Sequence, residues 1–339
     1  MNINFPLAQS GFEPPLFKNT AKWDGRLSGI QDLENSFKVL YRTLQILGHD
    51  INQTEEPDII FHWCGKGLNY KSNSKLIILE HGWIPRWSYQ MSNLGTNSQG
   101  HYATAHIPNT YLGMSKEKIM KTMNSYLINL QNIYKLNLER FDVTYPFILV
   151  PFQLATDINL KQSNTEFAKY YKTSNLEFAQ ALIDYIYSFN LPYHIIFKQH
   201  PTDSTDLTKL KIRAIDLLIS ASDKISVHSL FATGQCKLTI GINSNTLHEA
   251  LIWRIPVIAL GDLIWHKDIK NRPLEKDVNK FKEAIQEYSG LDSKVYYYLY
   301  HIIRNQWFLS DFQNPLIVQR ILDTCGTCEA YQTRKELSL

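Results

Sequence analysis

Four polar clusters in this 339-residue chain each close an apolar run. They hold the residue types that move protons, hold anions or form covalent intermediates. The first is "LEHGWIPRW" (79–87), where Glu80 has the chemistry of a general acid or base. His81 and Arg86 add binding groups, and Trp83 and Trp87 could stack on a sugar. The alternative is a surface turn with an incidental acid. The second is "PFQLATD" (151–157), which supplies Gln153 and Asp157. Asp157 is a candidate nucleophile or base, with Gln153 orienting it or binding a hydroxyl. The alternative for Asp157 is to cap the following turn.

The third cluster closes "HIIFKQHP" (194–201). Lys198, Gln199 and His200 leave a strand together, and Pro201 restricts His200 to extended geometry. A lysine and a histidine here can stabilise charge on a departing phosphate. The alternative is a solvated strand end. The fourth is "GINSNTLHEALIWR" (241–254), in which Asn243, Ser244, Asn245 and Thr246 open a helix after a strand. Backbone N–H groups at such a start face an anion. Thr246 and Glu249 also have capping-box spacing, which is the purely structural account of both. No Asp-x-Asp pair occurs in the chain, and the turn does not match G-x-x-x-x-G-K-[ST]. An anion must then be neutralised by side chains and helix ends, which suits a donor with a single phosphate.

The elements that must position these groups are legible as patterns. Apolar runs at 57–64, 75–82, 147–153, 193–201, 236–244 and 256–261 read as strands. Segments 32–50, 115–136, 174–190 and 245–254 read as helices; in the first, Leu33, Phe37, Leu40, Leu44 and Leu47 recur at helical spacing. Helices are expected to dominate from there to about residue 324. Strands that alternate with helices and are apolar throughout predict α/β architecture, with parallel sheets covered on both faces. Two such series, divided near residue 145, predict two Rossmann-like domains, 1–145 and 146–325. Ligands of such sheets bind beyond the carboxyl ends of the strands, where all four clusters fall. The polar end, "EAYQTRKELSL", is expected to be a mobile tail.

Composition narrows the function classes. Hydrophobic residues are 44% and charged residues 20%, as in ordinary globular proteins. A formal charge of +3 argues against nucleic acid as a partner and suits an anionic small substrate or loose contact with an acidic membrane surface. No apolar run is long enough to span a bilayer, and the N-terminal stretch lacks signal-peptide character. Four cysteines, Cys64, Cys236, Cys325 and Cys328, form no disulfide framework and fit a cytoplasmic, reducing location. Cys325 and Cys328 make one C-x-x-C without a second ligand pair, so no metal is expected.

Taken in order, the clusters resemble a family. "QLATD" fits Q-x-x-x-D, "KQHP" supplies an His-Pro element, and "INSNTLHEALIWRIPVIALG" is similar to the serine turn, helix and strand that follow. "LEHG" resembles the acid-x-Gly element ahead of them. Together they resemble the capsule-polysaccharide biosynthesis family, which includes bacterial β-Kdo transferases, across roughly residues 75–265. The resemblance implies a GT-B glycosyltransferase with two facing Rossmann-like domains and a cleft between them: an acceptor-side N-terminal domain and a nucleotide-sugar-binding C-terminal domain. It implies a CMP-activated 3-deoxy-octulosonate (Kdo) donor, no cofactor or metal, and a glycan or lipid-linked glycan acceptor from capsule or lipopolysaccharide synthesis. Peripheral contact with the inner membrane would accompany a lipid-linked acceptor. It further implies His200 and the Ser244 turn on the phosphate, Asp157 as the nucleophile of a retaining reaction, and Glu80 as acid or base near the acceptor. In an inverting enzyme Glu80 becomes the catalytic base and Asp157 a binding residue. The first acidic element departs from the family pattern, being Glu-His-Gly rather than two acids and a glycine. The alternatives are a sialyltransferase of similar architecture, a teichoic-type polyol-phosphate transferase using His81, and a non-catalytic GT-B protein that binds nucleotide or glycan.

Overall fold

The structure is a computed structural model that describes residues 1–4, 29–51, 57–63, 73–104, 114–136, 138–162, 165–262 and 293–337. Cys64, the Leu33 side chain and the helices expected over 263–292 lie outside the described residues. The chain divides into two compact units, Met1–Ile107 with Leu299–Leu339, and Pro108–Tyr298. The expected boundary near 145 is therefore corrected in two ways. The long helix 116–135 belongs to the second unit, and the last forty or so residues return to the first.

The first unit is built on strands β1 (Asn2–Asn4), β2 (Asp50–Ile51), β3 (Ile59–Trp63), β4 (Lys75–His81) and β5 (Tyr89–Ser92). Their order is β2-β1-β3-β4-β5; β5 runs antiparallel to β4 and the other pairings are parallel. Ile59, Phe61, Ile77 and Leu79 place one sheet face against Phe37, Leu40 and Leu44 of helix α1 (Gly29–Ile46). The expected helical spacing in α1 is what makes that stripe continuous.

The second unit has the order β10-β9-β6-β7-β8, all parallel. Its strands are β6 (Phe147–Pro151), β7 (His194–Lys198), β8 (Leu217–Ile219), β9 (Cys236–Gly241) and β10 (Val257–Ala259). Counted from its first strand, this is the 3-2-1-4-5 order of a dinucleotide-type Rossmann half, with the strand order reversing between β6 and β9. After α2 (His101–Thr104) in the first unit, the second unit carries α3 (Lys116–Lys135), α4 (Ile158–Gln162), α5 (Asn175–Tyr187), α6 (Val227–Ala232) and α7 (Thr246–Ile252). Ser174 and Glu177 form a full capping box on α5, which fixes where that helix starts. Phe178, Leu182, Ile183 and Ile186 then bury one helical stripe against Ile148, Val150, Ile195 and Phe197.

The C-terminal segment includes α8 (Ser293–Arg304), α9 (Leu309–Phe312), α10 (Pro315–Asp323) and α11 (Ala330–Glu336). The expected mobile tail is thus a docked helix. Ala330 and Thr333 are buried, and Arg334 Nη1 bonds Asp311 Oδ2 at 2.6 Å. Polar composition concealed this because the docking uses the Arg334–Asp311 ion pair as well as the buried Ala330. Burial raises the Asp311 carboxyl above its usual range, and the Arg334 charge opposes that rise. Arg334→Ala leaves that buried carboxylate without its cation and is expected to cost on the order of 3 kcal/mol. Chemical denaturation measures it; a loss below about 1 kcal/mol would show that the helix docks without the pair.

Candidate active site

In the second unit these polar groups lie at or just past the carboxyl ends of β6, β7 and β9. Gln153, two residues past β6, is buried and doubly locked. Its Nε2 donates to Asn243 Oδ1 at 2.7 Å, and its Oε1 accepts from the Asn243 backbone N at 3.1 Å. Asn243 in turn donates through Nδ2 to the Asn159 carbonyl at 2.8 Å. This bridge spans the point where the strand order reverses, the preferred ligand position in such sheets.

Gln153 Nε2 also donates to Asp157 Oδ2 at 3.2 Å, while Asp157 Oδ1 accepts from the Asn159 N at 2.9 Å. Gln153 thus contacts Asp157, and the capping alternative is met as well. One oxygen caps α4, and the other is oriented by Gln153. The side chain is half-buried, so its carboxylate has both fixed direction and access.

The third cluster is placed differently from expectation. Lys198 does not leave the strand; it is the last residue of β7 and only 4% exposed. Its carbonyl accepts from Phe152 N at 2.8 Å, which ties the β6 exit to the β7 exit. Gln199 is a brace: its Nε2 donates to the Thr205 carbonyl at 2.7 Å and its Oε1 accepts from Ala221 N at 2.9 Å. His200 is half-buried and Pro201 exposed. His200 Nδ1 accepts from Thr202 N at 3.3 Å and lies 2.9 Å from Thr202 Oγ1. A backbone N–H can only donate, so the neutral ring carries its proton on Nε2. That is the tautomer whose Nε2–H can donate to a phosphate oxygen.

At the fourth cluster, the expected capping box is not formed. Thr246 is the first residue of α7, and its N–H donates to Ser244 Oγ at 3.3 Å. Asn245 is already helical and accepts from His248 N and Glu249 N through its carbonyl. Glu249 Oε1 instead lies 3.3 Å from His228 Nε2, and His228 Nδ1 accepts from Trp253 Nε1 at 2.9 Å. Glu249 is thereby committed to packing α7 against α6. With only seven residues, α7 offers little dipole to an anion at this turn.

In the first unit, Glu80 and His81 are the last residues of β4, not a turn, and both are buried. Asn97 Nδ2 approaches Glu80 Oε2 at 3.5 Å. Asn97 Oδ1 accepts from Gln90 Nε2 at 3.0 Å and Trp83 Nε1 at 3.3 Å, and Tyr102 Oη donates to Gln90 Oε1. Burial, and then the charge of Glu80, push the Tyr102 phenol well above its usual range. Trp83 is 1% exposed against Tyr102, so of the two expected sugar-stacking rings only Trp87 reaches the surface. Arg86 is exposed, with Nη1 3.4 Å from the Gly82 carbonyl. Gly82 is required sterically, since a Cβ there would meet the Ser88 backbone carbon at 2.8 Å. Gln306 holds the same loop, accepting from Trp83 N and Ile84 N at 2.7 Å each. His81 packs edge-on against Trp63, which favours a packing role over acceptor chemistry.

His101 adjoins this network, its ring 5.2 Å from Tyr102. Burial, with repulsion from His301, lowers its pKa to about 4. The fold thus favours neutral His101. The stability this contributes is complete above about pH 6.5 and is lost as pH falls toward 4, by up to about 3 kcal/mol. Denaturation of His101→Gln across that window is expected to show a shallower acid slope than the unsubstituted chain; equal slopes would remove His101 as the cause.

Asn175, Asn159, Gln90, Asn97 and Gln306 were not singled out from the sequence. Each is a lone amide, and only its partners across the fold give it meaning. Among the described residues no group of three His, Cys, Asp or Glu could hold a metal ion. The described cysteines, Cys236, Cys325 and Cys328, are free. Nor is any helix among the described residues long and apolar enough to cross a membrane.

No protein-family model and no curated protein matches the chain. Among solved structures, it is similar to the KpsC β-Kdo 2,7 transferase of Thermosulfurimonas dismutans, at 14% identity over 89% of this chain and 98% of that one, with a TM-score of 0.43. It is also similar to the KpsC β-Kdo 2,4 transferase of the same organism, at 14% identity over 77% and 87%, with a TM-score of 0.44. The MnaA–UDP structure from S. aureus is similar at 12% identity over 90% and 79%, with a TM-score of 0.34.

Proposed function

We propose that this chain is a glycosyltransferase that takes a sugar from a nucleotide-activated donor to a cell-surface glycan acceptor, and that the donor is CMP-Kdo. The observation that carries the reading is the Gln153–Asn243 bridge where the β6/β9 strand order reverses, with Asp157 oriented by Gln153. Two residues past the end of the neighbouring strand β7, His200 presents its Nε2–H tautomer. A fixed carboxylate and a phosphate donor at the exits of paired strands are what departure of a nucleoside monophosphate requires.

The step assigned to Asp157 is attack of one carboxylate oxygen on the anomeric carbon. The bond from that carbon to the phosphate oxygen breaks, and CMP leaves with the electron pair, stabilised by His200. The glycosyl-enzyme ester is then opened by an acceptor hydroxyl, whose proton goes to a base. Glu80 enters this reading as the acceptor-side acid or base, and the first unit as the acceptor-side half of a GT-B enzyme. A lipid-linked acceptor would bring the chain to the membrane surface.

The test is to incubate the chain with CMP-Kdo, CMP-sialic acid and CDP-glycerol, with and without glycan acceptors, and follow nucleotide release. Release from CMP-Kdo is expected. Release from CDP-glycerol alone, or from no donor, would overturn the reading.

A further inference from the structure

One side chain joins the loop bearing Asp157 to the loop bearing His200. Asn175 opens α5, and its amide faces both loops. Its Oδ1 accepts from Ala155 N at 2.8 Å, two residues from Asp157. Its Nδ2 donates to Asp203 Oδ1 at 2.8 Å and to Thr205 Oγ1 at 3.3 Å. Asp203 is 7% exposed, its Oδ1 also accepts from Thr205 N at 3.0 Å, and its own N–H donates to the His200 carbonyl at 2.9 Å. The amide cannot be reversed, because its oxygen faces a donor and its nitrogen faces a carboxylate.

We infer that Asn175 is a positioning residue that sets the distance between Asp157 and His200 by holding the two loops against the start of α5. The inference rests on the functional reading above. It adds to that reading a specific requirement. The nucleophile and the phosphate donor sit on separate loops, and a displacement of about 1 Å between such groups costs on the order of 10²-fold in rate. Helix α5 is anchored to the sheet by Phe178, Leu182 and Ile183, so it is a rigid reference for both loops.

The chemistry of the bridge gives a test that a general packing role would not pass. Asn175→Asp keeps the shape, still accepts from Ala155 N and suits a helix start, but it sets a carboxylate against Asp203. With CMP-Kdo as donor, its kcat is expected to fall at least about tenfold, with CMP binding within about threefold. Asp203→Asn alone is expected to be mild, since an amide oxygen can accept the same two N–H groups. The double variant Asn175→Asp/Asp203→Asn removes the like-charge contact and, with the new amide turned, sets an N–H donor opposite the new carboxylate at the expense of the bond from Thr205 N. Its kcat is expected to recover at least about fivefold over Asn175→Asp. No loss in Asn175→Asp, or no recovery in the double variant, would overturn the inference. A second arm does not depend on turnover: hydrogen exchange of the Ala155 amide is expected to quicken at least about tenfold in Asn175→Ala, and unchanged exchange would refute the bridge. A chain that releases nucleotide from no donor would sink the functional reading, and the exchange arm would still decide whether Asn175 couples the loops.

Discussion

Asp157→Asn is expected to lower transfer from CMP-Kdo by at least about 10³-fold while CMP binding stays within a few-fold. Asparagine is chosen because Asp157 has two roles in the structure. Its Oδ1 caps α4 through Asn159 N, and its Oδ2 accepts from Gln153. Asparagine is as good a cap as aspartate, so α4 should keep its start. The new amide nitrogen meets Gln153 Nε2, and one hydrogen bond worth about 1 kcal/mol is lost. What disappears is the nucleophilic carboxylate. Asp157→Ala removes cap and nucleophile together, and the comparison separates them. Mass spectrometry of the unsubstituted protein after exposure to CMP-Kdo is expected to find the sugar on Asp157. Near-normal turnover in Asp157→Asn would remove the nucleophile assignment and leave Asp157 as a cap and binding group.

His200→Ala is expected to weaken CMP binding about tenfold and to lower kcat by about 10²-fold, because a donor to the departing phosphate acts on both the bound state and the transition state. The geometry adds a graded companion. Thr202→Val removes the hydroxyl 2.9 Å from His200 Nδ1 but keeps the backbone N–H at 3.3 Å. The Nε2–H tautomer is then held by one contact instead of two, and a loss of only a few-fold is expected. If His200→Ala changes neither CMP affinity nor rate, the phosphate lies elsewhere in the unit. If Thr202→Val equals His200→Ala, the threonine is contacting the substrate itself.

The residues legible in the sequence were those at the ends of buried parallel strands. β6, β7, β9 and β10 are largely buried, so they read as mainly apolar runs, and their polar exits stood out by contrast. β2, β5 and β8 did not, for they are two to four residues long, and β5 is the polar string Tyr-Gln-Met-Ser, whose pairing with β4 is a tertiary event. Glu80 was placed correctly inside the strand expected over 75–82, but the antiparallel neighbour that pairs with it, Gln90 of β5, was not legible.

Residue chemistry and order along the chain determined by themselves that this is an α/β protein with two Rossmann-like series, and which acids, histidine and hydroxyl residues follow its strands. Those features are local: period, composition and spacing. The tertiary structure alone decided which groups work together. It committed Glu249 to His228 and Lys198 to the strand interior. It brought the polar C-terminal segment back as a docked helix. It also made Asn243 and Asn175 the fasteners of the Asp157 loop. An amide has no pattern in a sequence, because its value lies in a donor and an acceptor that chain folding brings from far along the chain.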